Sequence, residues 1–209
     1  MKPPIKNFSM KYYPEGTMTQ DFGENPVLYS RWGMKGHNGQ DHVAPHGEPM
    51  YAIEDAKEVS VKNDPSGFGK HVRIRSINPE NGVYRIWTYG HCSKIYVAGG
   101  QIVEAGEHIA DMGNTGYVVS GASPFWEHNP FAGTHLHLGM RLVKEDKKGW
   151  KYPHDDMKIK VMNYNNGYKG AVDPTPYLEQ VSDEETYRQQ LLTVVSLLRR
   201  LKQLLLLRG

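Results

Sequence analysis

The sequence predicts a mainly β protein, a two-layer antiparallel sheet or sandwich with an open groove, followed by a C-terminal amphipathic α-helix. Three observations carry this expectation. The 209 residues include 22 Gly, 13 Pro and 13 Tyr, a composition that suits a turn-rich β protein better than a helical bundle. Short alternating or apolar runs are bounded by turn-formers throughout most of the chain. The texture changes once, at Asp173-Pro174-Thr175-Pro176, where two prolines close the β region.

Taken in order, the clearest strand runs are Glu58 to Lys62, His71 to Ile77, Val83 to Thr88 and Leu136 to Val143. Asn63-Asp64-Pro65-Ser66-Gly67 and Asn78-Pro79-Glu80-Asn81-Gly82 punctuate them. Many short strands with tight turns mean antiparallel pairing. Gly100 to Gly113 reads as a hairpin, two short strands around a glycine-containing bend. Beyond the prolines, Ser182 with Glu185 three residues later forms a capping box, and Leu191, Val194, Leu198, Leu201 and Leu205 mark one helical face. Residues 1–180 are thus expected as one domain, long enough for one core. Residues 181–209 are expected as a helix for packing, self-association or docking, with a membrane-surface helix as an alternative.

Charge excludes some partners. Lys and Arg number 25 against 23 Asp and Glu, and the excess of two lies in the last 28 residues, which carry five basic and three acidic side chains. A neutral body argues against binding nucleic acid, which needs a basic face. One cysteine excludes an internal disulfide framework and a Cys-rich zinc module. The N-terminal residues hold no apolar signal-type stretch, and no apolar run reaches the roughly 18 residues of a transmembrane helix.

The ten histidines are informative through their spacing. In Gly36-His37-Asn38-Gly39-Gln40-Asp41 an imidazole and a carboxylate stand four residues apart among glycines that disfavour an ordinary helix. A turn or strand entry would have to bring them together, with the glycines letting backbone crowd close. In Thr134-His135-Leu136-His137-Leu138, strand periodicity puts His135 and His137 on one face, half of a metal site. Together the two motifs supply three ligands of zinc-compatible type plus a spare histidine. A catalytic zinc keeps three protein ligands and one open position, so the number fits catalysis better than a closed structural site.

These motifs resemble those of the lysostaphin-type (LytM-like) zinc metallopeptidases, which cut the peptide part of bacterial peptidoglycan. The resemblance spans roughly residues 15 to 145. His37-x3-Asp41, followed by Ala44 to Ala52, is similar to the family's first metal motif and the strand after it. Tyr89-Gly90-His91-Cys92-Ser93 is similar to its central Tyr-x-His-Leu-Ser segment. Gly100-Gln101-Ile102-Val103 through Gly113-Asn114-Thr115-Gly116 matches its Gly-Gln-x-Val and Gly-Asn-Thr-Gly hairpin, and Gly133-Thr134-His135-Leu136-His137 its final Gly-Pro-His-Leu-His. The resemblance implies a duplicated-hybrid-motif-like fold, one Zn²⁺ per chain held by His37, Asp41 and His137, and catalytic roles for His91 and His135. Which of those two is the general base stays open. It further implies zinc-dependent hydrolysis of cross-links or stem peptides at the cell wall; with no signal peptide visible, a phage or prophage lysin is the expected source.

Departures from the pattern mark what is particular to this chain. Cys92 replaces the usual leucine and is expected in the core beside an inward-pointing His91. Ser123-Pro124-Phe125-Trp126-Glu127-His128-Asn129-Pro130-Phe131 enlarges the connection before His135 and reads as a groove wall, with Trp126 and His128 as candidate substrate contacts. Asn114 is another. Asn25 to Trp32 would form the opposite wall, where Tyr29, or Arg31 instead, could contact the transition state. His42, His46, His71, His108 and His154 are expected to be structural. The rival readings are a catalytically silent peptidoglycan-binding or hydrolase-regulating relative, and a phosphocarrier. The terminal helix could also dock the chain in a virion.

Overall fold

The computed structural model describes residues 1–120, 123–124, 129–179, 181, 194–196 and 198–200. The expected fold class is found: antiparallel strands in two layers, with little helix. In chain order the strands are β1 (Met18–Gln20), β2 (Gln40–His42), β3 (Pro49–Tyr51), β4 (Ala56–Asp64), β5 (Gly69–Ser76), β6 (Val83–Gly90), β7 (Lys94–Ile95), β8 (Ile102–Val103) and β9 (His108–Asp111). They continue with β10 (Val119–Ser120), β11 (Ser123–Pro124), β12 (Leu136–Trp150), β13 (Ile159–Val161) and β14 (Ala171–Val172). The larger sheet runs β1-β2-β12-β6-β5-β4-β8, with β13 and β14 also pairing with β12. A second sheet, β3-β9-β7, lies over it.

Alternation along the strands sorts the two faces of the larger sheet. Leu136, Leu138 and Met140 of β12, Trp87 and Tyr89 of β6, and Val72 and Ile74 of β5 are buried on one face and join Met50, Ile109 and Ala110 of the second sheet in the main core. Each such large apolar side chain contributes about 1.5–3 kcal/mol by leaving water. The buried polar atoms of the aromatics are satisfied: Trp87 Nε1 donates to Glu54 at 2.6 Å, and the Tyr89 hydroxyl donates to the Tyr51 carbonyl at 3.0 Å. On the other face, Val59, Ile86, Val143, Tyr152, Ile159 and Val161 form a second cluster at the far end. The near end of that face has no such cover and becomes a groove.

The predicted hairpin between Gly100 and Gly113 is corrected. Its two strands form but do not pair with each other: β8 pairs with β4, whereas β9 pairs with β3 and β7. The bend between them is fastened to the 52–55 turn, Ala105 N donating to Asp55 Oδ1 at 2.9 Å and Gly106 N to the Ala52 carbonyl at 2.8 Å. Those bonds split the segment between the layers, so it is a corner. Strand β12 also outruns its expected end at Val143, because the polar stretch 144–150 pairs with β13.

Residues 175–179 are helical, and Leu178 and Val181 are buried. The proposed cap at Ser182 and Glu185 and most of the proposed helical face lie outside the described residues. Residues 194–196 and 198–200 are helical, with Val194 and Leu198 exposed. Among the described residues, no helix is long and apolar enough to cross a membrane.

Candidate metal centre and groove

Strand register builds the site. In the β2–β12 ladder Asp41 lies directly opposite His137, and in the β12–β6 ladder His137 lies opposite Gly90. A carboxylate and an imidazole on cross-strand partners of one face are held side by side. His37 joins them from the preceding loop, which is pinned by His37 N donating to the Glu24 carbonyl and Gly23 N donating to that of His37, both at 2.8 Å. Gly39 makes the approach possible. A Cβ there would stand 2.7 Å from the His137 ring, closer than atoms pack.

Three ligand-type atoms converge as a result. His37 Nε2 lies 2.9 Å from His137 Nδ1, His137 Nδ1 lies 3.1 Å from Asp41 Oδ1, and His37 Nε2 lies 3.2 Å from the same oxygen. His37, Asp41 and His137 form a buried group able to hold a metal ion. The His37 tautomer is set from behind, because its Nδ1–H donates to the Asp21 carbonyl at 3.1 Å, which leaves Nε2 with its lone pair forward. Electron-rich atoms this close repel unless a proton or a cation lies among them. Ligands on a tetrahedral zinc, bonded at about 2.0–2.1 Å, stand roughly 3.3 Å apart, so these residues fit that ion.

The electrostatics set one buried carboxylate among several imidazoles. For Asp41, burial favours the neutral acid, but the His37 and His135 imidazoles outweigh it and hold the carboxyl well below the usual range. His37 is raised above its ordinary value because the Asp41 carboxylate overrides burial. His137 is pushed down to about 4, by burial first. It therefore stays neutral, as a ligand must.

Two further imidazoles flank the triad. His91 follows Gly90 in a left-handed conformation, φ 59°, uncommon for a residue with a Cβ. Its Nδ1–H donates to the Thr115 carbonyl at 2.7 Å, and His135 Nδ1–H donates to the Gly133 carbonyl at 2.7 Å. Each ring thereby keeps Nε2 as its free basic nitrogen. The ring centroids are 4.5 Å apart, and His135 Nε2 is 3.7 Å from Asp41 Oδ2. Burial, then the charges of His135 and His137, lowers the His91 pKa well below its usual value. The neighbouring Cys92 turns into the core, where burial pushes its thiol up to about 12; it is no reactive thiolate.

The site opens into a groove of about 630 Å³. Asp41, His91, His135 and His137 line it, and its walls include Tyr29 and Trp32 on one side and Phe68, Tyr117 and Thr134 elsewhere. The Tyr29 ring is 5.2 Å from that of His37; burial and the charge of Asp41 raise its pKa, so the hydroxyl remains a donor. Arg31 stays outside the lining: it bonds the Tyr117 hydroxyl and packs over the Trp32 and Tyr117 rings. Asn114 is buried, with Nδ2 donating to the Pro130 and Ala132 carbonyls at 2.9 Å, which fastens the chain ahead of His135. Trp126 and His128 lie outside the described residues.

Sequence reasoning missed Phe68, whose ring is 4.8 Å from that of His137, and Tyr117. An aromatic residue between two glycines, Gly67-Phe68-Gly69, was the available signal. The remaining described histidines have other surroundings: His42 contacts Thr17, His46 stacks on Phe131, His71 bonds the Gly69 carbonyl, His108 pairs with Asp111 and His154 with Glu58.

Fold and donor set together define an antiparallel β protein with a His–Asp–His group, suited to a divalent metal, at the floor of an open groove. The chain belongs to peptidase family M23, whose model matches residues 35–149. It is 28% identical over 149 residues to the peptidoglycan DD-endopeptidase ShyB of Vibrio cholerae serotype O1, a match covering 71% of this chain and 30% of that protein. It is 38% identical over 80 residues to the uncharacterized lipoprotein YgeR of Escherichia coli K12, covering 38% of this chain and 30% of the lipoprotein. These matches span less than a third of those relatives' own lengths. Among solved structures, LytU is similar at 25% identity and TM-score 0.52, covering 85% of this chain and 94% of that one. The lysostaphin catalytic domain of Staphylococcus simulans is similar in fold, at 24% identity and TM-score 0.51, covering 78% and 91%.

Proposed function

We propose that this chain is a zinc-dependent endopeptidase that hydrolyses peptide bonds in bacterial peptidoglycan, in cross-links or stem peptides, and that it acts at the cell wall. The observation that carries the reading is the meeting of His37, Asp41 and His137 within 3.2 Å of one another, with two more imidazoles in the same groove. Family membership and similarity to a peptidoglycan DD-endopeptidase support the substrate class.

His37, Asp41 and His137 would hold the zinc ion. When bound, zinc supplies Lewis acidity that polarises a carbonyl and makes water easier to deprotonate near neutral pH. His91 and His135 do the proton work in this proposal. With Nδ1–H anchored on a backbone carbonyl, each presents Nε2 to accept a proton from the attacking water and return it to the leaving amine. Charge that develops on the scissile carbonyl oxygen would then be met by an imidazolium and by the Tyr29 hydroxyl. The apolar wall of Leu28 and Trp32 gives an extended peptide a surface along which to lie.

Residues 1–180 are proposed as the catalytic domain and 181–209 as an amphipathic helix for self-association or docking. The direct test is digestion of purified peptidoglycan, with and without a chelator, followed by mass analysis of the new termini. New amino termini that vanish with chelator and return with zinc support the reading; an unchanged digest refutes it.

A further inference from the structure

The groove is lined by a cation with no ion-pair partner among the described residues. Arg141 stands on β12 four residues beyond His137, on the same face of the sheet, with Gly139 between them and no side chain in the way. It lines the groove together with Lys169. Its Nε donates to the Lys169 carbonyl at 3.1 Å, which fixes the plane of the guanidinium and leaves the Nη1 and Nη2 end of the fork without a carboxylate within 4 Å among the described residues. The two acids that line the groove make no ion pair with Arg141, although the Asp64 charge acts on Arg73 through space. Asp41 is surrounded by His37, His135 and His137, and Asp64 accepts from Ser66 N and Oγ at 3.2 and 2.8 Å.

A second cation reinforces it. Arg73 pairs across strands with Thr88, and Thr88 with Gly139, which places Arg73 on the face that bears Arg141. Arg73 Nε is buried without a hydrogen-bond partner, and the guanidinium lies between the rings of Phe68 and Tyr152 at 5.9 Å from each. Among the described residues, Arg75 is matched by Asp155 and Arg85 by Glu54. Buried charge is costly unless paired, so Arg73, with its buried Nε unpartnered among the described residues, and the half-buried Arg141 on the same face make this side of the groove a region of positive potential.

Resting on the endopeptidase reading, we propose that Arg141 is a specificity-determining residue that binds a free carboxylate of the peptide substrate, so that the chain prefers acidic stem peptides to neutral bridges. A guanidinium held through Nε and open at both terminal nitrogens has the geometry of a two-point carboxylate clamp. Four residues along an extended strand span about 13 Å. The bound carboxylate therefore belongs to a residue within about four of the scissile bond.

The test separates binding from cleavage. A purified stem tetrapeptide with its free carboxylates, and the same peptide with every carboxylate converted to carboxamide, are titrated calorimetrically into the full chain, its Arg141→Gln variant and its Arg141→Lys variant. The acid form should bind the unaltered chain at least about tenfold more tightly than the amide, a charge-assisted pair being the stronger kind of hydrogen bond. Arg141→Gln should erase that preference and leave amide binding unchanged. Arg141→Lys, which keeps the charge and the fold but not the fork, should restore only part of it. Equal affinity for both forms, or equal loss of both in Arg141→Gln, overturns the proposal. Hydrolysis of cross-linked dimers in the two forms is then compared: preference in binding without hydrolysis of either dimer would sink the endopeptidase reading alone, whereas equal hydrolysis with equal binding would sink the carboxylate clamp alone.

Discussion

The two ends of β12 hold buried polar groups in opposite states. Near its far end three buried carboxylates are matched. Asp155 receives Arg75 through two bonds of 2.9 Å, Glu54 receives Arg85 at 2.8 and 2.7 Å as well as the Trp87 indole, and Glu58 contacts His154 at 2.8 Å. At the near end, ligand-type atoms face one another. Three donor atoms crowd within 3.2 Å, and the outer nitrogen of His137 is buried with no partner among the described residues. Completed pairs add to folding, or at least do not waste it. The near-end cluster, held by the same sheet, is a donor set able to hold a metal ion.

The largest test of this contrast is catalytic. His135→Ala should lower peptidoglycan hydrolysis by about 10²–10⁴-fold, the usual worth of a proton-transfer group, with the unfolding midpoint nearly unchanged; a fall in stability with intact turnover would assign His135 to the paired class. The far end should respond in reverse. Asp155→Ala strands the Arg75 guanidinium in a buried site and should cost about 3–5 kcal/mol of stability, read by urea unfolding, while the folded fraction keeps its activity per molecule.

Acid sharpens the comparison further. His71 is pushed down to about 4, by burial first and by Arg73 second, against about 6.5 in the unfolded chain. The native form binds fewer protons, so its stability is complete above about pH 6.5, falls as pH drops toward 4 and is level below. Linkage limits the loss to about 3 kcal/mol. His71→Gln should reduce the difference in unfolding free energy between pH 7 and pH 4.5; an identical pH dependence would contradict the assignment. The smallest expected effect is at the wall. Tyr29→Phe should slow hydrolysis about ten- to a hundredfold if its hydroxyl meets developing charge, with KM little changed.

Much of this was legible because it depends on side chains with a strong period or a scarce chemistry. The strands over Glu58 to Lys62 and Leu136 to Val143 announce themselves by alternation and turn residues, and His37-x3-Asp41 and His135-x-His137 by spacing. What the sequence concealed is carried by backbone. The carbonyls of Asp21, Thr115 and Gly133 orient three imidazoles, and a carbonyl has no signature in the sequence. Strand pairing is equally silent: Gly100 to Gly113 has the look of a hairpin, yet the bonds of its bend to Ala52 and Asp55 send the two strands to different sheets. Asn114 looked available to a substrate and is spent on Pro130 and Ala132.

The zinc content of the unaltered chain, of Asp41→Ala and of His135→Ala, after dialysis against limiting free zinc, tests the division of labour most directly. One ion per chain in the first and third proteins, with none in Asp41→Ala, is the result expected if His37, Asp41 and His137 hold the metal and His135 moves protons. Equal loss of zinc in both variants, or full retention in both, would contradict it.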